Sequence, residues 1–237
     1  MKTRTSNGIQ LQALDSGESL SQAMTRFGQV FLLDENGELN DHTIFPKDQP
    51  LRIFRDRSWQ VVALAGDLFA LCTEDDLQDE SAEYRDIHAR DHLKPLIGIL
   101  QERRTPHIYM TYCLSLDDFE TLLIPPQREA MNAAWLSDDL HFMLCCFAVD
   151  DRADWGLVID NDEVYLGGEP AFMERFISES GGKDELSRIF SLYIDGAVIP
   201  GESAYHPGDA RFYRCLYTYC GWDWPFPEPP PGPTPAT

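Results

Sequence analysis

Apolar and polar positions divide the chain into stretches of different period. Between Phe27 and Thr73 the apolar runs are short and rich in Val, Phe and Trp, as in GQVFLLDENGEL and RIFRDRSWQVVALAGDLFALC, and they break at Asn36-Gly37, Arg55-Asp56-Arg57 and Gly66-Asp67. An Asn-Gly pair between apolar runs signals a hairpin, and aromatic and β-branched residues suit a pleated surface, so residues 27–73 are predicted to form a small antiparallel sheet. The polar residues 1–20 before it read as a flexible lead-in. After Thr73 the period lengthens. Thr73 or Asp75 is a candidate N-cap with acids crowding the first turn behind it, and Leu77, Tyr84 and Ile87 share one helical face. Pro95 marks a kink or a new helix that carries Leu96, Ile97 and Leu100. Residues 108–114 predict a strand, and residues 116–123 and 127–135 predict helices on either side of Pro125-Pro126.

The next run, LHFMLCCFAV, is apolar on both faces, which fits a buried central strand. Asp150 to Asp154 forms an acidic turn, and WGLVID and EVYL then predict two short strands joined near Asn161-Asp162. Gly167-Gly168 raises the question of a phosphate-gripping loop. A phosphate there would meet Asp160, Asp162, Glu163 and Glu169 with no Lys in the loop, so the pair is read as a corner using positive φ. Pro170 then sits at the first position of a helix whose apolar stripe is Phe172, Met173, Phe176 and Ile177, ending before Gly181-Gly182. A further helix is predicted near residues 184–193. The fold class that follows is α+β: a mainly antiparallel sheet, a helical middle segment and a C-terminal strand-strand-helix unit. One domain covers residues 21–224, and the Pro-rich residues 225–237 read as a disordered tail.

Charge changes the picture more than composition does. With 237 residues and 43% hydrophobic positions the chain can bury a core without metal or disulfide staples. Its 19 Lys and Arg stand against 40 Asp and Glu, a formal net charge of -21. Nucleic acid and anionic membrane surfaces both require a positive footprint, so neither is expected as a partner, whereas a basic protein is favoured. The cysteines at 72, 113, 145, 146, 215 and 220 lack a CxxC spacing and sit mostly in apolar runs, and no signal-peptide core or membrane-length apolar span is present. A reduced, cytoplasmic setting is the expectation.

Candidate chemistry is sparse. His88-Ala-Arg-Asp-His92 would place two imidazoles on one face of a helix at the spacing of a zinc pair, which makes a metal-dependent hydrolase the alternative reading. The order loosely echoes an inverted zinc-peptidase motif with Asp91 where the motif has Glu, and a third-ligand signature is lacking. Cys145-Cys146 has no flanking cation to lower a thiol pKa, and GxSxG is absent, so no catalytic residue and no cofactor is assigned. The acidic turns are the sharper candidate. Asp150, Asp151, Asp154, Asp160, Asp162 and Glu163, interleaved with Trp155 and Tyr165, combine steering charge with aromatic anchors, the composition of a surface for a basic protein partner.

The residues Asp154-Trp155-Gly156-Leu157, followed by Leu166-Gly167-Gly168 and Phe172, resemble a segment of bacterial immunity-type proteins from polymorphic and contact-dependent toxin systems. That resemblance implies an acidic cytoplasmic protein, without catalysis of its own, that binds a cognate toxin or effector domain and blocks its active site.

Overall fold

In the computed structural model the described residues are 2–6, 8–14, 18–33, 52–65, 78, 80–112, 121–135, 145–160, 163–198 and 207–226. Their strands are β1 (Lys2–Ser6), β2 (Ile9–Leu14), β3 (Gln60–Ala65), β4 (Ile108–Tyr112), β5 (Thr121–Ile124), β6 (Cys145–Asp150), β7 (Trp155–Asp160) and β8 (Glu163–Gly168). Their helices are α1 (Glu18–Val30), α2 (Ala82–His88), α3 (Leu93–Glu102), α4 (Arg128–Trp135), α5 (Pro170–Glu179), α6 (Lys183–Val198) and α7 (Pro207–Cys220). The strands form one 8-stranded sheet in the order β1-β2-β5-β4-β6-β7-β8-β3, and every pairing in it is antiparallel. The α+β class with an antiparallel sheet therefore stands.

The N-terminal expectations change. Residues 2–14, read as a flexible lead-in, are a hairpin closed at Gly8, whose φ of 78° is a conformation glycine adopts without penalty. The GQVF run, read as a strand, is the last turn of α1 and its exit. Ala23, Phe27, Val30 and Phe31 recur at helical spacing and all are 0% exposed. The helical period starts upstream of the apolar run, and that decides the conformation. Of residues 116–123, read as helix, 116–120 lie outside the described residues and 121–123 belong to β5, because a helix there would leave the carbonyls and amides facing β2 and β4 unpaired. The Asn36-Gly37 hairpin, Thr73, Asp75, Leu77, Cys72 and Cys113 lie outside the described residues.

Elsewhere the period and the punctuation agree with the structure. β6 pairs with β4 and β7, and Cys146, Phe147, Ala148 and Val149 are 0% exposed, as an apolar run on both faces requires. Pro95 lies in the first turn of α3, where its missing N–H costs nothing, and Leu96, Ile97 and Leu100 are buried. Pro170 opens α5, and Gly181 and Gly182, at φ of 98° and 96°, end it.

Gly167 and Gly168 are not a corner. Both lie inside the β8 ladder, paired with Val61 and Gln60 on one side and with Gly156 and Trp155 on the other. A Cβ at Gly167 would overlap the Phe54 ring, and one at Gly168 would lie 2.9 Å from the Asp154 carbonyl oxygen. Close approach, rather than positive φ, demands glycine here. At Gly156 a Cβ would likewise run into Val30 and Phe31, so α1 and the Phe54 segment press on that face of the sheet. The alternate residue Trp155 points to the other face and stacks on Phe172 of α5, with centroids 5.8 Å apart and an interplanar angle of 9°. Helices thus cover both faces, and α6 and α7 pack against the edge strand β3.

Candidate interaction site

The turn from Asp150 to Asp154 joins β6 to β7 and lies against the connection between α3 and β4. Each of these two turns contains a non-glycine residue in the left-handed region, Ala153 at φ 52° and Arg104 at φ 55°. Hydrogen bonds lock the turns together. Thr105 Oγ1 donates to Asp150 Oδ2 at 3.2 Å, the Arg152 backbone N–H donates to Asp150 Oδ1 at 2.9 Å, and the Arg152 guanidinium donates to the Arg103 carbonyl at 3.1 Å. Arg103 forms an ion pair with Asp154 and stands over the Phe172 ring, 5.2 Å from its centroid.

Asp151 is also engaged. It accepts from the Tyr109 hydroxyl at 2.8 Å, pairs with Arg26 of α1 at 2.8 Å, and has His107 Nε2 3.2 Å away. His107 Nε2 also lies 3.0 Å from the Tyr109 hydroxyl, and the Arg26 guanidinium sits 5.2 Å from the Tyr109 ring centroid. Burial, then the hydrogen bond to Asp151, pushes the Tyr109 phenol up to about 12, so it remains a protonated donor at neutral pH. Asp150 is 0% exposed. The acidic turn of the sequence is therefore, in three dimensions, a buried Asp150, a half-buried Asp154 paired with Arg103, and an exposed Asp151 held by Arg26, Tyr109 and His107.

The second acidic turn is at the opposite end of β7. Six strand residues separate the two turns, which at a rise of about 3.3 Å per residue places them roughly 20 Å apart. Of the expected interface residues Asp150, Asp151, Asp154, Asp160, Asp162, Glu163, Trp155 and Tyr165, the described ones do not converge on one patch. Glu163 accepts from the hydroxyls of Tyr165 and of Tyr213 in α7. Asp162 and the Asp160 side chain lie outside the described residues. Trp155 and Tyr165 are 0% exposed and belong to the core, not to a rim of surface anchors. The physical reason is the strand period: alternate residues of β7 and β8 both face packed layers, so no aromatic is left for solvent.

The His88/His92 pair is not on one helix. α2 ends at His88 with Ala89 as its C-cap, and α3 begins after His92. Asp91 explains the break, since its Oδ1 accepts from the Lys94 backbone N–H at 2.9 Å and starts the new helix, while its carboxylate also pairs with Arg128. His88 stacks on Tyr84 with centroids 4.0 Å apart. His92 is 8% exposed, its Nε2 has no hydrogen-bond partner, and burial lowers its pKa to about 4. Among the described residues no group of three or more His, Cys, Asp or Glu side chains is disposed to hold a metal ion.

Arg26, Arg103, His107 and Tyr109 were missed as partners of the acidic turn. The available signal was local charge: Arg103-Arg104 and His107 close the segment before β4, and a strand beginning there must run beside the end of β6. No family model matches the chain, and no curated protein or solved structure matches it. No helix among the described residues is long and apolar enough to cross a membrane.

Proposed function

We propose that this chain is a cytoplasmic binding protein of the immunity type, which holds a basic toxin or effector domain and blocks its active site. The observation that carries the reading is the charge excess. The 19 Lys and Arg face 40 Asp and Glu, and Arg26, Arg90, Arg103, Arg128, Arg175 and Arg188 already form ion pairs within the chain. The surplus carboxylates have no internal counter-charge to meet, and a field of that sign speeds encounter with a cationic partner. The Asp150–Asp154 turn is not their centre, because Asp150 is buried and Asp151 and Asp154 are paired with Arg26 and Arg103.

The test is capture of partners from the native host at about 50 and about 200 mM salt, a range over which screening of exposed charge changes appreciably. Recovery of a basic domain at the lower salt, with less at the higher, and relief of that domain's toxicity by co-expression of this chain, is the expected result. A partner held equally at both salts, or one whose toxicity persists on co-expression, would overturn the reading.

A further inference from the structure

A groove of about 490 Å³ runs between α6 and the segment that follows α7. One wall is a single face of α6, formed by Lys183, Asp184, Ser187, Arg188, Ser191 and Leu192, whose spacing repeats every helical turn. The other wall is residues 221–226, Gly-Trp-Asp-Trp-Pro-Phe, in which the side chains alternate. Trp222, Trp224 and Phe226 all pack on Tyr217, at centroid distances of 5.6, 5.3 and 6.5 Å, and leave Asp223 and Pro225 exposed. Tyr217 in turn meets Ser191 of α6, hydroxyl to hydroxyl, at 2.8 Å. The wall is thus an extended strap centred on one tyrosine, with Phe190 and Arg214 also packed on its rings.

The charges in the groove differ in how they are used. Arg188 is bound by Glu185 at 2.7 Å and Asp86 at 3.1 Å, and Lys183 donates to the Gly221 carbonyl. Asp184 and Asp223, one on each wall, are exposed carboxylates with no ion pair among the described residues. Trp222 lines the groove at 7% exposure, and its indole N–H has no hydrogen-bond partner. The strap already accepts a guanidinium on another ring, since Arg214 stands 5.5 Å from the Trp224 centroid.

We infer that this groove seats an arginine-bearing extended segment of the basic partner, with its guanidinium groups between Asp184 and Asp223 and its apolar stems along Trp222 and Phe226. The inference rests on the proposed capture of a basic protein and names the surface that performs it. Charge complementarity selects the occupant: the two carboxylates without an ion pair outnumber the one such cation, Lys183, whose ammonium is held on the Gly221 carbonyl, and aromatic surface suits a planar, weakly hydrated cation better than an ammonium. The volume suits a few side chains rather than a folded domain.

The probe is a fluorescein-labelled eight-residue peptide alternating Arg and Gly, titrated with the full chain at about 150 mM salt by fluorescence anisotropy. Asp184→Asn with Asp223→Asn is expected to weaken binding about fourfold, each rim ion pair contributing a factor of about two. Glu169→Gln with Glu174→Gln removes the same charge from the exposed side of α5 and is expected to change affinity less than about twofold. Ser187→Trp, which fills the groove and leaves every charge in place, should abolish the interaction. Equal weakening by the two charge-matched pairs would overturn the groove as the site and leave capture of a basic partner standing. Absence of peptide binding by the unmodified chain would also overturn it, and capture would then be judged by its own salt dependence.

Discussion

The two ends of β7 carry similar sequences and different partners. At one end Asp151 and Asp154 pair with Arg26 and Arg103, and buried Asp150 accepts from Thr105 and the Arg152 backbone, so two of the three negative charges are compensated where they stand. At the other end Glu163 accepts hydrogen bonds from the hydroxyls of Tyr165 and Tyr213, neutral donors that stabilise a carboxylate. A run of acids in a sequence is therefore not an acidic surface. Which side chains the rest of the fold delivers to the run decides that, and here α1 and the end of α3 deliver cations to one end while α7 delivers a phenol to the other.

Three experiments bear on that contrast, in falling order of effect. Asp150→Ala strips two donors, Thr105 Oγ1 and the Arg152 N–H, of their acceptor in a fully buried position. It should cost about 3 kcal/mol in urea unfolding at pH 7.5. A loss under about 1 kcal/mol would mean that the turn is not held by its buried carboxylate.

Acidification is next, and it must be separated from the two ends because its source lies elsewhere. His92 titrates at about 4 in the folded chain, against 6.5 for the free group. The unfolded state binds the proton more readily, so this contribution to stability is intact above pH 6.5 and is lost as pH falls toward 4. Between pH 7.5 and 5 the loss should be about 2 kcal/mol, and His92→Asn should remove most of it. An unchanged pH dependence in that variant would place the acid sensitivity in other groups.

The smallest effect is expected at the phenolic end. Tyr213→Phe removes one donor from Glu163, which keeps Tyr165, and should cost on the order of 0.5–1 kcal/mol. A cost as large as that of Asp150→Ala would erase the distinction between the two ends.

Much of the fold was legible because it depends on local rules. Pro95, Pro170 and Gly181-Gly182 mark helix boundaries through their own φ preferences, and the apolar run before Asp150 needed no partner to announce a central strand. Thr121–Ile124 was not legible, since four residues carry too little period to tell strand from helix without β2 and β4 beside them. The lead-in was misread because its strands are polar, although Asn7-Gly8 is the same hairpin signal that was used at Asn36-Gly37.

The acid excess and the two strands around Asn161-Asp162 are properties of the sequence itself. Composition sets net charge, and a two-residue period sets a strand. What those acids do, and why glycine is needed at 167 and 168, was decided by tertiary structure. Asp151 is neutralised by Arg26, remote in the chain, and Gly167 is required because Phe54 packs on it from another segment. Electrostatic compensation and steric exclusion act through space over a few ångströms, and only the folded chain determines which residues come that close.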